Sequence, residues 1–256
     1  MPKSSGLGDN LYVSGYNLSG DIGSLGKISG GMEPLPCTGI DKSAPERFGG
    51  LRDGHIEFTS WFNPSAAQAH VVLNPLTVSA ADTHIQYWRG TTLGSPVAAM
   101  IAKETDYKPK RGEDGSLVID STFEANSYGL EWGVGLTAGA VSHTVATNGT
   151  AVDYGAAIGT TAFGAQAWFQ LHTFTGTLAA IEVQSSTDNG AGDAFALVPG
   201  LTFGGTVGTV RTGTRLATTS RTTAVERYLR IATSGTFSEM TFSLMVVRNL
   251  TAVTDG

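Results

Sequence analysis

Apolar and polar residues alternate in short runs along this chain, and almost nowhere do they follow a helical period. The clearest alternation is residues 54–62, with Ile56, Phe58 and Phe62 on one side and His55, Glu57, Thr59 and Trp61 on the other. That is the period of two of a half-buried strand. Asn63-Pro64 ends it, a pair suited to the cap and first position of a helix over residues 65–73, which Asn74-Pro75 then stops. No other segment predicts a helix. Strands are predicted over 83–89, 97–107 and 116–126, the last two forming a hairpin around the charged tip 108–115. Upstream, 35–38 reads as a short strand and 39–53 as an irregular, charge-bearing loop.

The pattern changes near residue 137. Lysine occurs only before Arg111, and from Thr137 onward threonine makes up about one residue in five, a composition that favours strands and turns. Alternating runs at 165–175, 179–185, 195–198, 215–219, 225–233 and 240–248 are separated by Gly, Asn or Ser, as in a sandwich or jelly roll. The small-residue stretch 133–140 reads as a linker. The expectation is a mainly β protein of two domains: residues 1–136, a small antiparallel β structure with one helix, and residues 137–256, an antiparallel β-sandwich of jelly-roll type.

Composition narrows the function more by exclusion than by indication. The chain has 256 residues, 34 Gly, 15% charged residues, one Cys and a formal net charge of -6. The glycines lack the three-residue period of collagen, and no apolar run reaches the ~18 residues of a membrane span. The polar opening Met1-Pro2-Lys3-Ser4-Ser5-Gly6 has no secretory-type apolar stretch, so synthesis and use on the cytoplasmic side are expected. A mild acidic balance opposes a groove that neutralises phosphates.

Chemistry-bearing motifs are incomplete. His55-Ile56-Glu57 starts a zinc-deaminase pattern without the cysteine pair that would complete it, and the five histidines are scattered. There is no GxSxG elbow, and Cys37 lacks a thiol-protease surround and reads as a buried small side chain. Residues 21–28 lack the leading Gly and final Ser or Thr of a phosphate loop, and 133–138 has dinucleotide-turn letters without a following helix. Residues 188–193 lack calcium-loop spacing. Glu104 with Asp106, and Glu113 with Asp114, read as solvated charge at a hairpin flank and tip. The expectation is therefore no enzyme, no cofactor and no metal. Trp168, Phe169 and Tyr228 are candidate surface aromatics for stacking on a sugar, although Trp168 and Phe169 are adjacent and only one would face inward on a strand.

Residues 37–62, with a Thr-containing strand end, a loop, the turn Gly50-Leu51-Arg52-Asp53-Gly54 and an alternating strand before a helix, resemble the major tail (tail tube) proteins of long-tailed phages. Residues 116–129 resemble that family's closing strand, and residues 10–22 are similar to the N-terminal segment of actinobacterial phage homologues. The resemblance covers the first half of the chain and contains no catalytic signature. It implies a β-sandwich or barrel-like subunit that forms hexameric rings, which stack around a channel for genomic DNA without binding it specifically. It also implies tape-measure and terminator proteins as tail partners, assembly in the host cytoplasm, residence in the virion tail and no membrane insertion. Loops would bridge subunits, which makes Asp41, Lys42, Glu46, Arg47, Arg52 and Asp53, and Lys108, Lys110, Arg111, Glu113 and Asp114, the candidate assembly residues. Residues 137–256 would decorate the outside and could touch a host-surface glycan. The competing readings are a capsid decoration protein and a carbohydrate-binding β-sandwich protein.

Overall fold

In the computed structural model, which describes residues 5–204 and 210–252, the fold is mainly β. In chain order the strands are β1 (Asn10–Val13), β2 (Tyr16–Asn17), β3 (Ile22–Pro36) and β4 (Arg47–Trp61), followed by helix α1 (Ala69–Leu73). Then come β5 (Thr83–Trp88), β6 (Pro96–Arg111), β7 (Leu117–Ala125), β8 (Glu131–Gly135), β9 (Val141–His143) and β10 (Val152–Asp153). Last are β11 (Ala165–Ser186), β12 (Ala196–Gly204), β13 (Thr212–Ala217) and β14 (Tyr228–Arg248). The chain divides into two units. One comprises Gly20–Ile85 and Met100–Glu131; the other comprises the residues up to Ser19, Gln86–Ala99 and the chain from Trp132 onward.

In the unit of Gly20–Ile85 and Met100–Glu131, the strand expected at 54–62 is the second half of the 15-residue β4, paired on one side with β3 and on the other with β7. β7 in turn pairs with β6, so the hairpin expected there is present. Its turn is shorter than the predicted tip, because β6 runs on to Arg111, opposite Leu117. Ile56, Phe58, Ile119 and Phe123 share the buried face, and the Phe58 and Phe123 rings stack at 5.8 Å.

The predicted helix over 65–73 is cut to its last turn. Asn63 Oδ1 accepts a hydrogen bond from the Ser65 N–H at 3.1 Å, a local Asx turn that competes with helix. The cap comes from far along the chain. The buried Asp21 carboxylate accepts from the Ala69 N–H and from Asn63 Nδ2, both at 2.9 Å. A charged acceptor on an orphan helix N–H contributes about 1.5–3 kcal/mol. Asp21→Ala is accordingly expected to lower unfolding stability by about 2 kcal/mol in urea titration.

The other unit is organised by two long strands. The alternations at 165–175 and 179–185 belong to one strand, the 22-residue β11, and 240–248 continues the one that starts at Tyr228, the 21-residue β14. These two pair antiparallel from Ala165↔Arg248 to Ser186↔Tyr228, with register shifts between Leu171 and Leu178. Such bulges bend a strand without ending it. Here both halves of the pair deliver side chains to one core: Phe169, Leu171, Leu244 and Val246 from one half, and Ile181, Val183, Leu229 and Ile231 from the other. β12 and β13 flank β11, while β8, β9 and β10 flank β14. The stretch 133–140, expected as a linker, contains β8, whose Val134 and Gly135 lie opposite Val246 and Met245 in the ladder.

Around Gln170 and His172 the second face of β11 is covered as well, by the N-terminal segment. Gly15 donates its N–H to Gln170 Oε1 at 2.7 Å, and its carbonyl accepts from His172 Nδ1 at 2.9 Å. The Tyr12 ring meets the His172 ring edge-on at 5.0 Å, and Tyr12 Oη accepts from the Ala140 N–H. Trp168 on this face and Phe169 on the other are therefore both buried, where alternation alone led us to expect only one of them inside.

Candidate assembly surface

The second half of β3, residues 30–36, and the first half of β4 form a two-stranded ribbon whose side chains find no core. Along β3 the sequence is Gly- and Pro-rich without alternation, and from Gly30 to Pro36 every residue is exposed. The backbone ladder alone builds this strand, with Gly31↔Asp53, Met32↔Arg52, Leu35↔Phe48 and Pro36↔Arg47 in register and an irregularity between Met32 and Pro34. The expected loop 39–53 is therefore mostly strand. Only residues 37–46 lie outside β3 and β4, and Gly50-Leu51-Arg52-Asp53-Gly54, expected as a turn, lies inside β4.

Large apolar side chains line this ribbon in solvent: Met32, Leu35, Ile40, Phe48 at 67% exposure and Leu51 at 80%. Gly49 and Gly50 face Met32 and Leu35 and leave room for them. A Cβ on Gly50 would stand 2.9 Å from the Glu33 carbonyl oxygen and 3.2 Å from Leu35 Cγ. Sequence reasoning named the charges here and missed the apolar residues. The available signal was a set of isolated large hydrophobics inside a stretch with no burial period.

The ribbon tip is closed by Cys37 N–H to the Glu46 carbonyl at 3.0 Å and Glu46 N–H to Thr38 Oγ1 at 3.0 Å. Lys42 lies between Asp41 at 3.7 Å and Glu46 at 3.5 Å. Exposed pairs of this kind contribute little to stability, so the charges remain available to a neighbour. Arg47, Arg52 and Asp53 sit in β4 rather than in a loop. Arg52 reaches the buried Glu131 at 3.9 Å, and the Asp53 carbonyl accepts from the Leu130 N–H at 3.3 Å, which anchors the ribbon's base.

The second group of expected residues stays on its own hairpin. Lys108, Lys110 and Arg111 are exposed on β6, opposite Asp120, Val118 and Leu117, and Lys108 donates to Asp106. Glu113 and Asp114 are in the turn. Asp114 accepts from the Ser116 hydroxyl at 2.7 Å and its N–H at 3.0 Å, which holds the carboxyl below its ordinary range. The hairpin meets β4 farther back, where His55 Nδ1 lies 2.9 Å from Glu124 of β7.

The candidate sugar-stacking aromatics lie elsewhere. Trp168 is fully buried, and Phe169 packs in the core against Phe203 at 5.1 Å and Phe242 at 6.0 Å. Tyr228 is half-buried, with the Arg227 guanidinium 4.8 Å over its ring. That guanidinium makes a two-pronged pair with Asp153, both contacts at 2.6 Å, pulling the Asp153 carboxyl down to about 2. Among the described residues no group of three or more His, Cys, Asp or Glu gathers to hold a metal ion, and no helix is long and apolar enough to cross a membrane.

No protein-family model and no curated protein matches the chain. Solved structures do resemble it. A chain from the virion of a native gene transfer agent particle is similar at 12% identity and a TM-score of 0.42, over 51% of this chain and 98% of that one. The Dit (gp 19.1) protein of SPP1, described as a paradigm of the hub adsorption apparatus in phages infecting Gram-positive bacteria, is similar at 10% identity and a TM-score of 0.33, over 93% of this chain and 98% of that one. A chain of the phage p2 baseplate in its activated conformation with Sr is similar at 9% identity and a TM-score of 0.35, over 94% of this chain and 98% of that one.

Proposed function

We propose that this chain is a structural subunit of a phage tail that assembles with copies of itself, the β3/β4 ribbon and the β6/β7 hairpin reaching neighbouring subunits. The observation that carries this reading is the ribbon. A two-stranded ribbon is marginally stable alone in water, and its exposed Leu35, Phe48 and Leu51 become buried only if a partner covers them. Among the described residues β3 pairs only with β4, so its outer edge also presents backbone N–H and C=O groups for strand pairing.

The resemblance of residues 37–62 and 116–129 to tail-tube proteins supports a finer version. Within residues 1–136, the unit of Gly20–Ile85 and Met100–Glu131 makes the assembly contacts, copies stack as six-membered rings around passing DNA, and residues 137–256 are displayed outside. A low-charge, mildly acidic subunit suits such a conduit, because clustered cations would hold the phosphates. Tape-measure and terminator proteins are then its partners within the tail.

Negative-stain electron microscopy and sedimentation of the purified full chain test this. Rings or tubes are expected, and the single cysteine, Cys37 beside the ribbon tip, should react with a maleimide in the monomer and be shielded in the assembly. A monodisperse monomer at high concentration, even after seeding, would overturn the proposal.

A further inference from the structure

The core beneath β4, β7 and β6 contains polar groups that packing does not require. Ser60 on β4, Ser121 on β7 and Glu104 on β6 are all buried, Glu104 at 4% exposure, among Ile56, Phe58, Ile119 and Phe123. In the ladders Ser121 lies opposite Phe58, and Glu104 opposite Phe123, so the polar side chains occupy adjoining strands beside the two stacked rings. Glu104 keeps the inward alternation of Met100 and Ala102, and the register shift after it sets Asp106 opposite Thr122 on the other face, so only one of the two carboxylates read as hairpin-flank charge is in solvent. Neither Glu104 oxygen, nor the Ser60 or Ser121 hydroxyl, reaches hydrogen-bond geometry with another group among the described residues.

A carboxylate in that position would be an unpaired buried charge. The groups around it do not relieve this. Burial weighs most against its charge, the nearby Ser121 hydroxyl on β7 eases this only in part, and Asp106 on the same strand adds repulsion. Tyr107, also on β6, is held by His70 of α1 at 2.6 Å, and its own ionisation is opposed by burial and by Glu104. No Lys or Arg pairs with Glu104 among the described residues. A protonated carboxyl, by contrast, is neutral and has one O–H to donate to a neighbouring hydroxyl.

We infer that Glu104 is a proton-operated lock on the β4/β7/β6 sheet: with its proton the sheet closes over the Ser60–Ser121 core, and loss of the proton opens the β6/β7 hairpin. Burial raises the carboxyl from its ordinary 4.5 to about 8, which places the transition in the mildly alkaline range. Folding then takes up a proton, so the stabilisation is complete below pH 4.5 and declines as pH rises to about 8. The inference rests on this cluster and does not depend on whether the chain assembles.

The test compares the full chain with Glu104→Gln, which keeps the shape and removes the titration. Between pH 6.5 and 8, above the range where burial places His84 and His172 at about 4, the unfolding constant of the wild type should rise about tenfold per pH unit relative to the variant, then level off. Hydrogen exchange in β6 and β7 should accelerate beyond the intrinsic base-catalysed rate in the wild type alone. Identical pH profiles for the two proteins would overturn the inference. If the variant does not fold, carboxyl carbon NMR of the wild type decides: a Glu104 midpoint near 8 supports the lock, and one below 6 removes it.

Discussion

Gly15→Ala is expected to cost about 4 kcal/mol of stability and to loosen the N-terminal segment from β11. Gly15 has φ +81°, where a Cβ costs about 1–2 kcal/mol by itself. At this site the added carbon would also collide with the Leu171 carbonyl oxygen and the Arg211 backbone, neither of which can swing aside as a side-chain end could. Any shift that relieves the clash breaks the buried bonds to Gln170 and His172, each worth about 1–3 kcal/mol when a partner is left unsatisfied. Gly8 supplies the control, with φ +87° and nothing within 4 Å of the place an added methyl would take, so Gly8→Ala should show the backbone strain alone. Denaturant midpoints and amide exchange over residues 11–18 measure both. A Gly15→Ala loss no larger than that of Gly8→Ala would show that the N-terminal segment can move aside freely.

The second large effect is expected on the β3/β4 ribbon. Phe48→Asp combined with Leu51→Asp should abolish self-association while leaving the monomer's unfolding midpoint nearly unchanged. Both side chains are mostly exposed in the subunit, so their replacement should change its stability by no more than about 0.5 kcal/mol. In an assembly, burying a Phe and a Leu contributes about 1.5–3 kcal/mol each, so losing both weakens a contact by on the order of 10³-fold. Sedimentation of wild type and variant at matched concentration reads the outcome. Undiminished assembly by the variant would place the interface elsewhere.

Strands with one buried face were legible in the sequence, because burial imposes the period of two that marks 54–62 and 116–126. β3 was not, since both faces of its outer half meet solvent and nothing selects apolar residues at alternate positions. β11 and β14 were seen as shorter pieces because Gly176-Thr177 and Ser234-Gly235 look like turns, whereas bulges carry the ladder through the bend. The charged residues of the candidate surface could be read from composition and the family resemblance. The apolar residues beside them could not, because exposure is a property of the folded chain.

The residues alone therefore specify a mainly β chain with a single short helix, a charged β6/β7 hairpin and no completed catalytic motif. These follow from local alternation, turn chemistry and the absence of required side chains. Tertiary structure decides that the N-terminal segment seals the second face of β11, that Asp21 caps a helix 48 residues away, and that Glu104 is buried while Phe48 and Leu51 are left in water. Each of those outcomes depends on which distant strand lies alongside, and a ladder's register is set by long-range pairing that no local window of the sequence contains.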